Sequence, residues 1–268
     1  MPRRARLTVV GVPHLVIQRG NNRSPCFFSD RDYRFYLICL RDRAEHYGCS
    51  VHAYVLNPGY VKLLVTPYSK DALSLMMRSL GSRYVQHVNH VHQRTGTLWE
   101  GRFKSSIVDS ERYLLTCYRY IELDPVRSRM VTDPANYPWS SYDCHARGVR
   151  DSVIHDHPLF LRLGATPQVR ALAYRELFHH PIDDRELKEI RSSVNVGLVL
   201  GGDAFKDEIE RVVARRVRPG KSGRPRKSEG NGTRVETVHA REELDTSCST
   251  SWESGSVPLS KGTAGRRE

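Results

Sequence analysis

In the segment "CYRYIELDPVRSR", Tyr120 and Asp124 are four residues apart and share one face of a helix, with Arg127 and Arg129 just beyond. A tyrosine beside a carboxylate and arginines has the makings of a nucleophile for phosphoryl groups. Because a phenol of ordinary pKa, about 10, attacks poorly, it needs a metal ion or cations to draw charge off the phosphate. Taken alone the pair is weak, since a tyrosine on an apolar helix face is usually core and Asp124 before Pro125 also reads as an N-cap. A second pair stands in "YVLNPGYVKLLVTP", where Tyr60 and Lys62, separated by one residue of a strand, project to the same side.

The surrounding patterns define the elements that position these residues. "HLVIQRG" alternates and runs into a polar turn, and "SDRDYRFYLICLRDRAEHYG" has Ser29 or Asp30 as N-cap and helical apolar spacing as far as Gly48. "CSVHAYVLN" and "YVKLLVTP" form a hairpin through Pro58-Gly59. A second helix is expected from about Asp71 to Gln93, a fourth strand segment in "TLWEGRFKSSIVDS", and a third helix in "SERYLLTCYRYIELD", capped by Ser110 or Asp109. The order βαββαβα predicts an α+β fold, a ferredoxin-like antiparallel sheet with helices packed on one face. Further on the pattern is helical, with starts at Thr166-Pro167, at Asp183 or Asp184, and at Asp203. The expected organisation is a first domain over residues 1–145, a small helical extension over 146–214, and a basic, disordered tail over 215–268.

The 268 residues carry 42 Lys and Arg against 30 Asp and Glu, a net charge of +12. That balance favours a polyanionic partner, nucleic acid first and an acidic membrane surface second. Six cysteines without a Cys-x-x-Cys pair argue against a zinc site and against a disulfide framework, and point to a reducing cytoplasm. No stretch has the length of a membrane span or a signal peptide. "RRVRPGKSGRPRK" places seven basic residues in thirteen. Within it Gly223-Arg224-Pro225 resembles the core of an A·T minor-groove hook, although a general phosphate-binding role suits the same basic segment.

Five separated segments, "GVPHLVIQRGNNR", "VHAYVLNPGYVKLLVTP", "GTLWEGRFKSS", "RYIELDPVRSRMV" and "YPWSSY", resemble in this order the REP-associated branch of the single-tyrosine HUH transposases. The resemblance spans about residues 7 to 145. It implies a domain that binds single-stranded or hairpin DNA for transposition or the processing of REP-type elements. It further implies that Tyr120 is the nucleophile, becoming linked to the 5′ side of the cut, with Asp124 assisting. The family holds a divalent metal, Mg or Mn, with two histidines in Met-Pro-Asn-His-x-His. Here the matching residues are Asn57-Pro58-Gly59-Tyr60-Val61-Lys62, so both histidine positions differ.

Histidines one residue apart on a strand chelate a metal from one side, whereas a phenol is a weak ligand and an ammonium has no lone pair to give. Asp124 adds one hard oxygen but does not replace two imidazoles, and His14, His52, His87, His90 and His92 are poorly placed as substitutes. Three readings stay open. The first is a DNA-binding protein whose metal-dependent cleavage is impaired, using Arg102, Lys104, Arg119, Arg127, Arg129, Arg224 and Arg226 on phosphates, with Tyr84, Trp99 and Phe103 as stacking surfaces for bases. The second is an active tyrosine transposase in which Lys62 substitutes electrostatically for the metal. The third is a decaying product without a role. A monomer is favoured over a homodimer.

Overall fold

The computed structural model of the protein describes residues 6–218, so Arg224, Arg226 and most of the tail expected at 215–268 lie outside the described residues. The elements follow the expected order: β1 (His14–Arg19), α1 (Asp30–Tyr47), β2 (Cys49–Asn57), β3 (Tyr60–Pro67), α2 (Ala72–Val91), β4 (Lys104–Val108) and α3 (Ser110–Glu122). A short turn of helix, α4 (Asp124–Arg127), continues α3 after Leu123. Beyond it come α5 (Tyr142–Arg147), α6 (Pro158–Leu161), α7 (Pro167–Glu176), α8 (Asp184–Val196), the two-residue β5 (Val199–Leu200) and α9 (Asp203–Val213).

Local chemistry sets the boundaries. The Asp32 carboxylate accepts the Ser29 N–H at 3.0 Å and so closes a cap at the start of α1, while Gly48, at φ +64°, supplies the left-handed residue that ends it. Thr166 Oγ1 accepts the Val169 N–H at 3.3 Å and Asp183 accepts the Arg185 N–H at 2.7 Å, so α7 and α8 begin where their capping residues indicate.

The sheet has the order β2-β3-β1-β4-β5, antiparallel except where β5 joins β4 in parallel. Helices cover both of its faces. One core joins Val16, Leu56, Leu63 and Val65 to Tyr36, Leu40, Met76 and Leu80 of α1 and α2. The other joins Leu15, Ile17, Val55 and Leu64 to α3 and to Tyr174, Ile190 and Val194 of the later helices. The single covered face expected from the element order is therefore completed by a second layer. The reason is visible in β2 and β3, which are nearly continuous apolar runs buried along their length, the pattern of strands covered on both sides. Among the described residues no helix is long and apolar enough to cross a membrane.

Candidate active site at Tyr120

Lys62 lies in the middle of β3, paired with Ile17 of β1 on one side and Val55 of β2 on the other, facing α3. Tyr60 is two positions earlier on the same face, opposite Arg19 and Asn57. α3 buries Tyr113, Leu114, Cys117, Tyr118 and Ile121, which directs Tyr120 near its end toward Lys62, and Asp124 follows at the first position of α4. Sequence reasoning from spacing on a helix and on a strand thus brings two separate pairs to one place.

The contacts there are dense. Lys62 Nζ donates to Asp124 Oδ1 at 2.5 Å and to Tyr120 Oη at 3.4 Å. Arg127 donates to Asp124 Oδ1 at 3.2 Å and also to the Tyr120 carbonyl oxygen. On the other carboxylate oxygen, Tyr60 Oη donates to Oδ2 at 2.7 Å and Asn57 Nδ2 at 2.5 Å. Burial alone would raise the Asp124 pKa, but the charge and hydrogen bond of Lys62, the Tyr60 hydroxyl and Arg127 together hold it below the ordinary carboxylate value. Burial and the neighbouring Asp124 push the Tyr60 phenol up to about 12, so it remains a donor at neutral pH. Two cations lie over the Tyr120 ring, Lys62 Nζ at 4.4 Å and Arg127 Cζ at 4.8 Å from its centroid.

These residues do not fit a divalent metal. An ionised carboxylate has about four lone-pair sites, and on Asp124 four donors already converge, two on each oxygen. Positions 60 and 62 offer a protonated phenol and an ammonium, neither of which replaces an imidazole. No group of three His, Cys, Asp or Glu side chains arranged to hold a metal occurs among the described residues. His14 and His52 are buried in the sheet with hydrogen-bonded rings, while His87 and His92 meet Asp32.

Tyr120, Lys62, Asp124 and Arg127 open into a cleft of about 330 Å³ that also takes in Arg19, Arg191 and Asn195. Arg19 and Lys104 both reach the Asn195 carboxamide oxygen, at 3.4 and 3.5 Å. Arg102 and Lys104 border an adjoining cleft together with Arg6. Arg119 points elsewhere, donating to the His180 carbonyl beside the Phe178 ring, and Arg129, at φ +57°, is not among the cleft residues. Arg19, Arg191 and Asn195 were not anticipated. Arg19 ends a strand that the sequence does reveal, but nothing in the α8 sequence signals that Arg191 and Asn195 face this cleft.

Residues 11–124 match the family model described as Transposase IS200 like. Among solved structures the chain is similar to a REP-associated tyrosine transposase bound to a REP hairpin, at 18% identity over 59% of this chain and 93% of that one, with a TM-score of 0.48. It is also similar to a candidate transposase from Deinococcus radiodurans R1, at 21% identity over 44% of this chain and 96% of that one, with a TM-score of 0.32. No curated protein matches. The residues that match this family model, 11–124, contain Tyr60, Lys62, Tyr120 and Asp124.

Proposed function

We propose that the protein binds single-stranded or hairpin DNA across the Tyr120 cleft, and that its metal-dependent strand cleavage is impaired. The observation that carries this reading is the Lys62–Asp124 ion pair, 2.5 Å long with side chains only 8% and 6% exposed. It takes up the carboxylate that the metal would require and puts a positive charge in the metal's place. Tyr60 and Lys62 are then the two positions at which histidines have been exchanged. The solved transposase with a REP hairpin supports DNA as the partner class. The cations Arg19, Lys104, Arg127 and Arg191 around the cleft suit a phosphate backbone, Arg102 extends them, and Arg224 and Arg226 add charge in the basic segment. The proposed division is a DNA-handling domain over 1–145, helices over 146–214 that brace it, and a basic segment over 215–268. The protein is proposed to act as a monomer.

A second reading keeps catalysis without a metal, and one observation favours it: Lys62 Nζ is 3.4 Å from Tyr120 Oη, close enough to stabilise a phenolate. In that step the Tyr120 oxygen bonds to phosphorus and loses its proton to solvent, while the bond from phosphorus to the 3′ oxygen breaks and that oxygen takes up a proton from water to leave as a 3′ hydroxyl. Lys62 and Arg127 then face the charge developing on the phosphoryl oxygens.

A labelled DNA hairpin with a single-stranded flank, incubated with the protein in Mg or Mn and separately in EDTA, distinguishes the two on a denaturing gel. Retained binding without a covalent adduct, with cleavage appearing in Tyr60→His/Lys62→His, supports impaired cleavage. A metal-dependent adduct that vanishes in Tyr120→Phe would sink it. An adduct resistant to EDTA moves the reading to Lys62-assisted catalysis.

A further inference from the structure

Four cations line the Tyr120 cleft, and each comes from a different element: Arg19 from β1, Lys62 from β3, Arg127 from α4 and Arg191 from α8. Asp124 is the one carboxylate among the described lining residues, and it is already met by Lys62 at 2.5 Å and Arg127 at 3.2 Å. The positive surplus therefore rests on the two other arginines. Arg19 donates to the Asn195 carboxamide oxygen at 3.4 Å, a long contact with a neutral acceptor, and Arg191 is exposed on α8. Gathering these like charges around a space of about 330 Å³ costs repulsion that a bound anion would relieve.

The layout of the cleft selects among anions. Arg19 and Lys62 stand on the sheet, Arg127 on the wall made by α3 and α4, and Arg191 on the wall made by α8, so donors approach from three elements of the fold rather than along one edge. A phosphodiester inside a strand offers two free oxygens and a single negative charge. A phosphomonoester at the end of a strand offers three acceptor oxygens and a charge of about −1.5 to −2 at neutral pH. Planar guanidinium groups suit such oxygens, each through two N–H bonds at once, and three of the four cations here are arginines.

We infer that the Tyr120 cleft binds the terminal phosphate of a DNA strand, a phosphomonoester, in preference to a phosphodiester within the strand. Arg19, Arg127 and Arg191 meet its three oxygens, and Lys62, held by Asp124, adds charge from the sheet. The ammonium that stands where a metal ligand would be is thereby part of a site for strand ends. The inference rests on the DNA-binding reading and names the part of the strand that this cleft takes.

The test uses the full chain in EDTA and fluorescence anisotropy with hairpins that carry a single-stranded flank on the 5′ or the 3′ side, the free end of each flank being either phosphorylated or a hydroxyl. At pH 7.5 the phosphorylated member of at least one pair should bind about 10-fold more tightly, the size of one added charge-assisted hydrogen bond, and the pair that responds identifies the end. A phosphomonoester takes up its second proton near pH 6, so this ratio should fall several-fold between pH 7.5 and pH 5. No histidine is among the described residues lining the cleft, and Asp124 is held below the ordinary carboxylate value, so the fall reports the ligand. Arg191→Gln, an exchange at an exposed position, should remove most of the preference, and millimolar inorganic phosphate should weaken the phosphorylated hairpin selectively. Equal binding of phosphate and hydroxyl ends, a preference unchanged in both Arg191→Gln and Arg19→Gln, or equal weakening of both hairpins by inorganic phosphate overturns the terminal-phosphate site while leaving DNA binding intact. Absence of binding to every hairpin overturns both.

Discussion

Asp124 has about four lone-pair sites and receives four donors, so its chemistry is governed by what those donors are. Replacing one partner of a buried ion pair strands the other, a loss of about 3–5 kcal/mol. Lys62→Met should therefore lower stability in urea, by less than that full amount because Tyr60, Asn57 and Arg127 still hold the carboxylate. Asp124→Asn in the Lys62→Met background should recover part of the loss, and additive effects of the two substitutions would contradict the coupling. Since the folded pKa of Asp124 is depressed, the pair stabilises the fold above the ordinary carboxylate pKa, about 4, and its contribution disappears as pH falls below that value. The same chemistry was only partly legible in the sequence. Helix and strand spacing assign Tyr120 and Asp124 to one face and Tyr60 and Lys62 to another, but no local pattern shows that Lys62 closes on Asp124 across 62 residues of chain.

At the scale of elements, the periodicities of β1 through α3 were readable because each burial pattern repeats within a few residues. What escaped has no such repeat: β5 is two residues long, and α8 reaches the Tyr120 cleft through Arg191 and Asn195 by tertiary packing alone. The hairpin supplies two predictions. Gly20 hydrogen-bonds the Gly59 carbonyl at 2.8 Å, and a Cβ there would collide with the Ser24 carbonyl oxygen, a backbone atom that cannot step aside. Gly20→Ala should consequently lower Tm and disturb the turn that carries Tyr60, which a Gly59→Ala control, with room for its methyl, should not. In β2, His52 is buried, donating from Nδ1 to the His155 carbonyl at 2.6 Å and accepting from Thr66 Oγ1 on Nε2 at 2.8 Å. Burial lowers its pKa to about 4, and that of His14 likewise to about 4. The unfolded chain binds these protons from about pH 6.5 downward and the folded one does not, so stability falls as pH drops from there toward 4 and levels off below. His52→Gln should flatten the Tm profile across that window. A wild-type profile already flat there would contradict a buried neutral imidazole.

At the scale of the whole molecule, the chain carries a net charge of +12, and the cations proposed to meet DNA border the adjoining clefts at Tyr120 and Arg102. Binding to a single-stranded oligonucleotide should weaken linearly in log–log form as salt rises, with a slope near −0.7 per phosphate neutralised. Removing one cleft cation by Arg191→Gln should make that slope shallower by about one phosphate's share, whereas Arg119→Gln should leave it unchanged because Arg119 is turned to the His180 carbonyl. Charge and composition point toward a polyanion but not to this geometry, since the cleft residues come from β1, β3, α3, α4 and α8 and meet only in the folded chain. Whether a divalent ion has a place beside Tyr120 decides between impaired and metal-dependent cleavage. Calorimetric titration of Mn²⁺ into the metal-free protein measures that most directly. The wild type should show no saturable site below millimolar concentration, with Tyr60→His/Lys62→His gaining one. Micromolar binding by the wild type that is lost in Asp124→Ala would contradict it.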